Sequence, residues 1–216
     1  MSFQRARTEN QIQDRIQEIV DAATSIYDSV GYDGLSFTTI SEYTKFTRPN
    51  IYKYFKTKDE ILLFILINEF RSFTSDLVTS YRLNRVYTIA EIAETWTDTL
   101  MKHERFLDLY SLLFTVIEKN VTVQALAEFK KKIITMPLPL CELASQLFPE
   151  AKEDSISSFV TTQLALAFSL YPMSKLNHLQ AEAITLSGIN YKPIDFKESY
   201  QSVLYKLMYC LQNSIE

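Results

Sequence analysis

Residues Phe37 to Leu62 read FTTISEYTKFTRPNIYKYFKTKDEIL, and the reading of this stretch decides the fold. It divides into a short helix, a tight turn, a second short helix and the start of a long one. Thr38 and Thr39 are both candidate N-caps for the first helix. Thr39-x-x-Glu42 also has the spacing of a capping box, in which a hydroxyl and a carboxylate each bond the other's backbone N–H. Ile40 and Tyr43, three residues apart, are expected to face inward. Lys45-Phe46 marks the turn. Thr47 is the expected cap of the second helix, Arg48 to about Tyr54, with Pro49 in the first turn, where a missing N–H forgoes no bond. Thr57-Lys58-Asp59-Glu60 is a further capping box. It opens a long helix through Ile61, Phe64, Ile65, Phe70, Phe73 and Leu77.

Two short helices joined this way form a helix-turn-helix, whose second helix enters the DNA major groove. The whole chain carries a net charge of −4, which taken alone argues against binding another polyanion. The distribution decides otherwise. Lys45, Arg48, Lys53, Lys56 and Lys58 fall between positions 45 and 58 with no acidic residue among them, and Arg5 and Arg7 add charge in an N-terminal arm. Basic side chains, hydroxyls and helix N-terminal amides contact phosphates, while Arg48 or Asn50 can also read a base edge. The same residues would also fit a solvated basic face.

The segment before it supports this division. Ile12, Ile16, Ile19, Val20, Ala23, Ile26, Tyr27 and Val30 recur on one helical face, giving a helix from about Ile12 to Val30. Gly31 stands where a C-cap favours a residue tolerant of positive φ, and Asp33-Gly34 marks a turn.

Residues 37–62, with the helix from Arg15 through Ala22-Ala23 to Tyr27 and Gly31-Tyr32, resemble the DNA-binding segment of the tetracycline-repressor (TetR) family. The shared pattern is a Thr-capped short helix, a turn, an aromatic recognition helix ending Tyr52-x-x-Phe55, and then Lys56-x-Lys58-Asp59-Glu60-Ile61-Leu62. It covers roughly the first third of the chain. The resemblance implies that Thr38 and Thr39 meet phosphate and that Arg48, Pro49 and Asn50 enter the major groove. It also implies that Tyr52 and Lys53 contact backbone or bases, and that Tyr54 and Lys58 each hold a phosphate. Ile51 and Phe55 read as core beneath the recognition helix. One position departs from the pattern: Lys45 stands where the family usually has Gly, so a positive φ there would carry strain.

The rest of the chain reads as helices near Ile89–His103, Glu104–Lys119, Val123–Thr135, Leu140–Phe148, Ser155–Leu170, Lys175–Ser187 and Phe196–Asn213. Breaks are expected at Pro137-Leu138-Pro139, Pro149, Pro172 and Ser187-Gly188-Ile189-Asn190. With no strand alternation, the expected class is all-α: residues 1–58 a helix-turn-helix domain, residues 59–216 a helical domain for ligand binding and dimerisation. The family resemblance implies a homodimer on a palindromic double-stranded operator. The last two long helices would pack on their mates through Phe159, Leu164, Ala167 and Phe168 and through Val203, Leu204, Leu207 and Leu211. It also implies an effector pocket. With 14 Phe, 13 Tyr and one Trp, an apolar or aromatic small molecule suits it, and Trp96, His103, Phe106, Tyr110, Phe114, Met136, Phe168 and Tyr171 are the candidate lining. The plainer alternative is that these residues are core. Functionally, the alternative is a helix-turn-helix dimer controlled by a protein partner.

Scarcity excludes much else. Three glycines, Gly31, Gly34 and Gly188, cannot build a phosphate-cradling loop. His103 and His178 sit in no metal-ligand spacing, so neither enzyme activity, nor a cofactor, nor a metal is expected. Cys141 and Cys210 are isolated and read as small hydrophobes in a reducing, cytoplasmic setting. No secretory signal and no run of apolar residues long enough to span a membrane is seen.

Overall fold

The computed structural model describes residues 9–82 and 84–215; Arg5 and Arg7, expected in a basic arm, lie outside them. Every regular element among the described residues is helical, as the all-α class requires. Among the described residues, no helix is long and apolar enough to cross a membrane. The chain forms two compact units. One holds the described residues up to Asn68 together with Phe114–Lys130, and the other holds Glu69–Leu113 and Lys131 onward. The expected division after residue 58 coincides with the start of a helix, whereas the packing divides the chain ten residues further on, inside that helix.

In the first unit, α1 (Glu9–Gly34) buries Ile19, Val20, Ala23, Ile26 and Tyr27 along one stripe. It outruns its expected end because the backbone kinks rather than stops at Gly31, with φ 69° and ψ −167°, a combination open essentially to glycine alone. Helices α2 (Phe37–Tyr43) and α3 (Arg48–Ile51) follow, then α4 (Lys58–Thr79), whose first half belongs to this unit. A 3-10 turn (Ile117–Lys119) and α7 (Val123–Ile133) as far as Lys130 complete it.

The second unit contains the rest of α4, α5 (Ile89–Met101), α6 (Glu104–Leu113), α8 (Leu138–Leu147), α9 (Glu153–Ser174), α10 (His178–Ser187) and α11 (Phe196–Gln212). Helix α9 packs on α6, α8 and α11, and α11 also packs on α5. The expected dimer residues Phe159, Leu164, Ala167, Leu204 and Leu211 are buried within this unit and so belong to its own core. Helix α10 ends on Gly188 in the left-handed conformation, as its glycine predicts, and none of its residues is buried.

The expected break at Pro172 does not occur: α9 runs through it to Ser174. Proline has no N–H, so the carbonyl of Phe168 four residues earlier loses its helical donor. The Ser111 hydroxyl of α6 stands 3.0 Å from that carbonyl and supplies one.

Candidate nucleic-acid interface

The side chain that caps α2 is Ser36, not Thr38 or Thr39. Ser36 Oγ accepts from Thr39 N at 3.1 Å, and Thr39 Oγ1 accepts from Ser36 N at 2.9 Å, which closes a capping box one turn earlier than expected. Thr39 is thereby half-buried in the cap. Thr38, next to it, is exposed.

The turn contains no left-handed residue; Lys45 has negative φ. Thr44 closes the turn instead. Its hydroxyl donates to Ile40 O at 3.0 Å and accepts from Phe46 N at 3.2 Å, so the backbone groups freed at the end of α2 are satisfied without a glycine. Lys45 points outward and pairs with Glu18 at 2.9 Å. Phe46, beside it, is buried.

Helix α3 is a single turn, Arg48–Ile51, with Pro49 in its first turn as expected. Hydrogen-bonded turns carry it to Phe55, whose N–H reaches Ile51 O at 3.1 Å. Thr47 makes no capping bond with its side chain, which leaves an exposed hydroxyl at the helix start. Ile51 and Phe55 are buried, as their spacing predicts. Those two anchors turn the other face outward: Arg48, Pro49, Tyr52 and Lys53 are exposed, and Asn50 and Tyr54 half-buried. Arg48 Nη1 donates to Thr38 Oγ1 at 3.3 Å and Lys53 Nζ to Asn50 Oδ1 at 2.8 Å. Thr38, Arg48, Asn50 and Lys53 thus share one surface. The ring of Tyr52 packs edge-on against buried Phe37, with centroids 4.7 Å apart.

Two residues behave otherwise than the sequence suggests. Tyr43 does not face inward; it is 72% exposed and adds an aromatic hydroxyl to the outer side of α2. Lys58 is committed within the unit: its ammonium donates to Tyr32 O at 2.6 Å and lies 3.8 Å from the Tyr32 ring centre. The next two residues lock the same corner. Asp59 accepts from the Tyr32 hydroxyl at 2.9 Å. Burial pushes its carboxyl above the usual range, against the opposing pull of the Tyr32 bond and the Lys58 charge. Glu60 accepts from Lys56 N at 2.6 Å, while its own N–H is capped by Thr57 Oγ1 at 3.2 Å.

The candidate ligand residues do not gather around one space. Phe106, Tyr110 and Phe168 pack on one another, with Tyr110 stacked on Phe168 at 3.7 Å between centroids, and His103 joins them through Phe73. His103 Nε2 is 3.0 Å from Asp76 Oδ2. Trp96 packs apart from this group on Phe159, and Tyr171 on Phe196. Phe114 is 58% exposed and belongs to the first unit. Met136 lines an open groove beside α4. High aromatic content marks the core here, because large rings fill the space between helices.

Comparison with known proteins agrees with this architecture. Residues 19–65 match the family of bacterial regulatory proteins of the tetR type, and residues 68–210 match the tetracyclin repressor-like C-terminal domain. No curated protein matches the chain. Among solved structures, a TetR-family transcriptional regulator of Mesorhizobium loti is similar with a TM-score of 0.59 and 15% identity, covering 96% of this chain and 98% of its own. A TetR-family regulator of a Shewanella species is similar with a TM-score of 0.51 and 13% identity, covering 90% and 96%. Two matched domains, which together cover most of the chain, place it in the TetR family of DNA-binding transcriptional regulators.

Proposed function

We propose that this regulator is a homodimeric repressor that grips a palindromic operator and is released when a small apolar or aromatic effector occupies its helical unit. The observation that carries the DNA half of this reading is the shared surface of Thr38, Arg48, Asn50 and Lys53, pinned from below by Ile51 and Phe55. Arg48, Pro49 and Asn50 are the groove-facing set. Thr38, Thr47, Tyr52 and Lys53 supply phosphate contacts, and Tyr43 extends them along α2. Thr39, Tyr54 and Lys58 serve chiefly to hold the two short helices in place.

The dimer half of the reading moves to the outer faces of α9 and α11. Ser155, Ser158, Thr162, Ala165 and Ser169 form an exposed stripe of small residues on α9, which lets a partner helix approach closely. Between it and Leu207 and Cys210 of α11 lies a groove of about 520 Å³, suited to side chains of a second copy. Two recognition helices in a two-fold dimer match successive major grooves about 34 Å apart. Release then follows when an effector favours a dimer geometry that no longer fits that spacing.

The experiment is selection of random duplex DNA on the purified protein at two salt concentrations. An enriched palindrome with half-sites about one helical turn apart, bound more weakly as salt rises, is expected. No enrichment at either concentration would sink the operator reading. A second reading, control by a protein partner, is favoured by α10, where Leu179 and Leu186 are exposed on one stripe. Under that reading Leu186→Glu leaves operator affinity intact but abolishes regulation in cells.

A further inference from the structure

A groove of about 440 Å³ lies between the second half of α4 and the segment that opens α8. Arg71, Thr74, Ser75 and Val78 form one wall, at the i, i+3, i+4 and i+7 positions of a single helical stripe. Met136 and Pro139 face them. The volume falls within the range of small-molecule sites.

Thr74 is the unusual member. It is only 7% exposed, and its Oγ1 has no hydrogen-bond partner. The buried threonines of α5 donate to the carbonyl four residues back, Thr97 to Ala93 at 2.7 Å and Thr99 to Thr95 at 2.8 Å. Thr74 forgoes that bond, which leaves its buried hydroxyl unsatisfied, an arrangement that is destabilising unless something else bonds it. One turn earlier stands Arg71, exposed and without an ion pair among the described residues. A cation and an orphan hydroxyl on one stripe, facing a methionine and a proline, make a site with a polar end and an apolar body.

We infer that this groove is the effector seat, and that the ligand is an apolar molecule carrying one anionic group. Arg71 pairs with the anion, Thr74 donates to one of its oxygens, and Val78, Met136 and Pro139 cover the apolar body. The assignment of the ligand as effector rests on the repressor reading above; the groove itself does not.

The test titrates the full-length protein with 1-anilinonaphthalene-8-sulfonate, an apolar aromatic anion, and with N-phenyl-1-naphthylamine, its neutral counterpart. Saturable binding of one sulfonate probe per chain is expected. Arg71→Gln should weaken it by about tenfold and leave the neutral probe unaffected, because a charge-assisted bond is lost. Thr74→Val, which keeps the shape and removes the hydroxyl, should weaken the sulfonate probe again. Val78→Trp should fill the groove and abolish both. Thermal melting of each variant checks that the fold is intact. No binding by the wild-type protein, or equal binding by wild type, Arg71→Gln and Val78→Trp, overturns the groove. Repeating the titrations with the selected operator present separates the two ideas. Binding that maps to the groove but leaves DNA affinity unchanged supports the site and overturns the effector reading. DNA affinity that responds equally in Val78→Trp supports the effector reading and overturns the groove.

Discussion

The hydroxyl of Thr122, at the start of α7, donates to Glu60 Oε1 at 2.6 Å, and the Thr122 backbone N–H approaches the same oxygen at 3.2 Å. Since Oε2 accepts from Lys56 N, one buried carboxylate ties a segment distant in sequence to the turn that ends the helix-turn-helix. Two further bonds accompany it: Thr122 Oγ1 accepts from Ala125 N at 3.3 Å and so caps α7, and Asn120 Nδ2 lies 3.5 Å from the Tyr32 hydroxyl. Glu60→Ala would leave three donors without an acceptor in a partly buried place. A loss of about 2–4 kcal/mol is expected, since bonds to a charged group are worth more than neutral ones. Urea unfolding measures it, and Thr122→Val should cost less than Glu60→Ala because Lys56 N keeps its acceptor. Equal losses would mean that Lys56 contributes nothing to the tie.

Asp59 gives the pH dependence. Its carboxyl is held above the usual range chiefly by burial, so the fold favours the protonated form. The stability this supplies is fully present below the unfolded-chain value, about 3.9, and is lost as pH rises through the folded value. At neutral pH ionised Asp59 is therefore a net cost. Asp59→Asn keeps an acceptor for the Tyr32 hydroxyl and should melt at a higher temperature than wild type at pH 7, with the gain shrinking as pH falls toward 4. A lower melting temperature for Asp59→Asn at pH 7 would show that the charge at the start of α4 outweighs its burial.

On the DNA face, Arg48→Ala and Lys53→Ala should each weaken operator binding and reduce the slope of log affinity against log salt by about one. Neither should change thermal melting, because both side chains are exposed. Tyr43→Ala should also weaken binding, which would distinguish the outward Tyr43 of the structure from the inward one of its spacing. Ile51→Ala differs in kind. Ile51 is wholly buried, so truncation should cost about 2–5 kcal/mol of stability and remove DNA binding through unfolding. Filter binding beside calorimetry separates the two classes, and an Arg48→Ala protein with unchanged affinity would strike that residue from the interface.

The sequence carried the positions whose role depends on local spacing. Ile51 and Phe55, four apart, could only be buried together if Arg48, Tyr52 and Lys53 faced out. Gly188 marked the end of α10 by the same local reasoning. Ser36 was hidden because Thr39-x-x-Glu42 fits the usual pattern of a capping box, whereas Ser36-x-x-Thr39 closes one with a hydroxyl where that pattern has a carboxylate or amide. Tyr43 was misread because a seven-residue helix has too few turns for its period to define a face. Lys45 looked strained against a glycine, yet Thr44 supplies the bonds the turn needs. The groove was illegible for a different reason. Arg71 and Thr74 acquire meaning only beside Met136 and Pro139, some sixty residues later, and nothing local announces that pairing.

Pro172 tests the same distinction energetically. It sits inside α9 because Ser111 supplies the donor that the proline lacks. The Ser111 hydroxyl also lies 2.6 Å from Leu107 O, so its one proton is shared between two carbonyls, and only that of Phe168 depends on it. Ser111→Ala should therefore cost about 1 kcal/mol, the worth of one neutral hydrogen bond. Pro172→Ala returns a backbone N–H at the position that bonds Phe168 O. In that background Ser111→Ala should cost measurably less, because the carbonyl now has a helical donor. The double-mutant cycle read by urea unfolding gives the coupling directly. Additive losses would mean that Ser111 does not compensate the proline, and that the packing of α9 on its neighbours carries Pro172 without it.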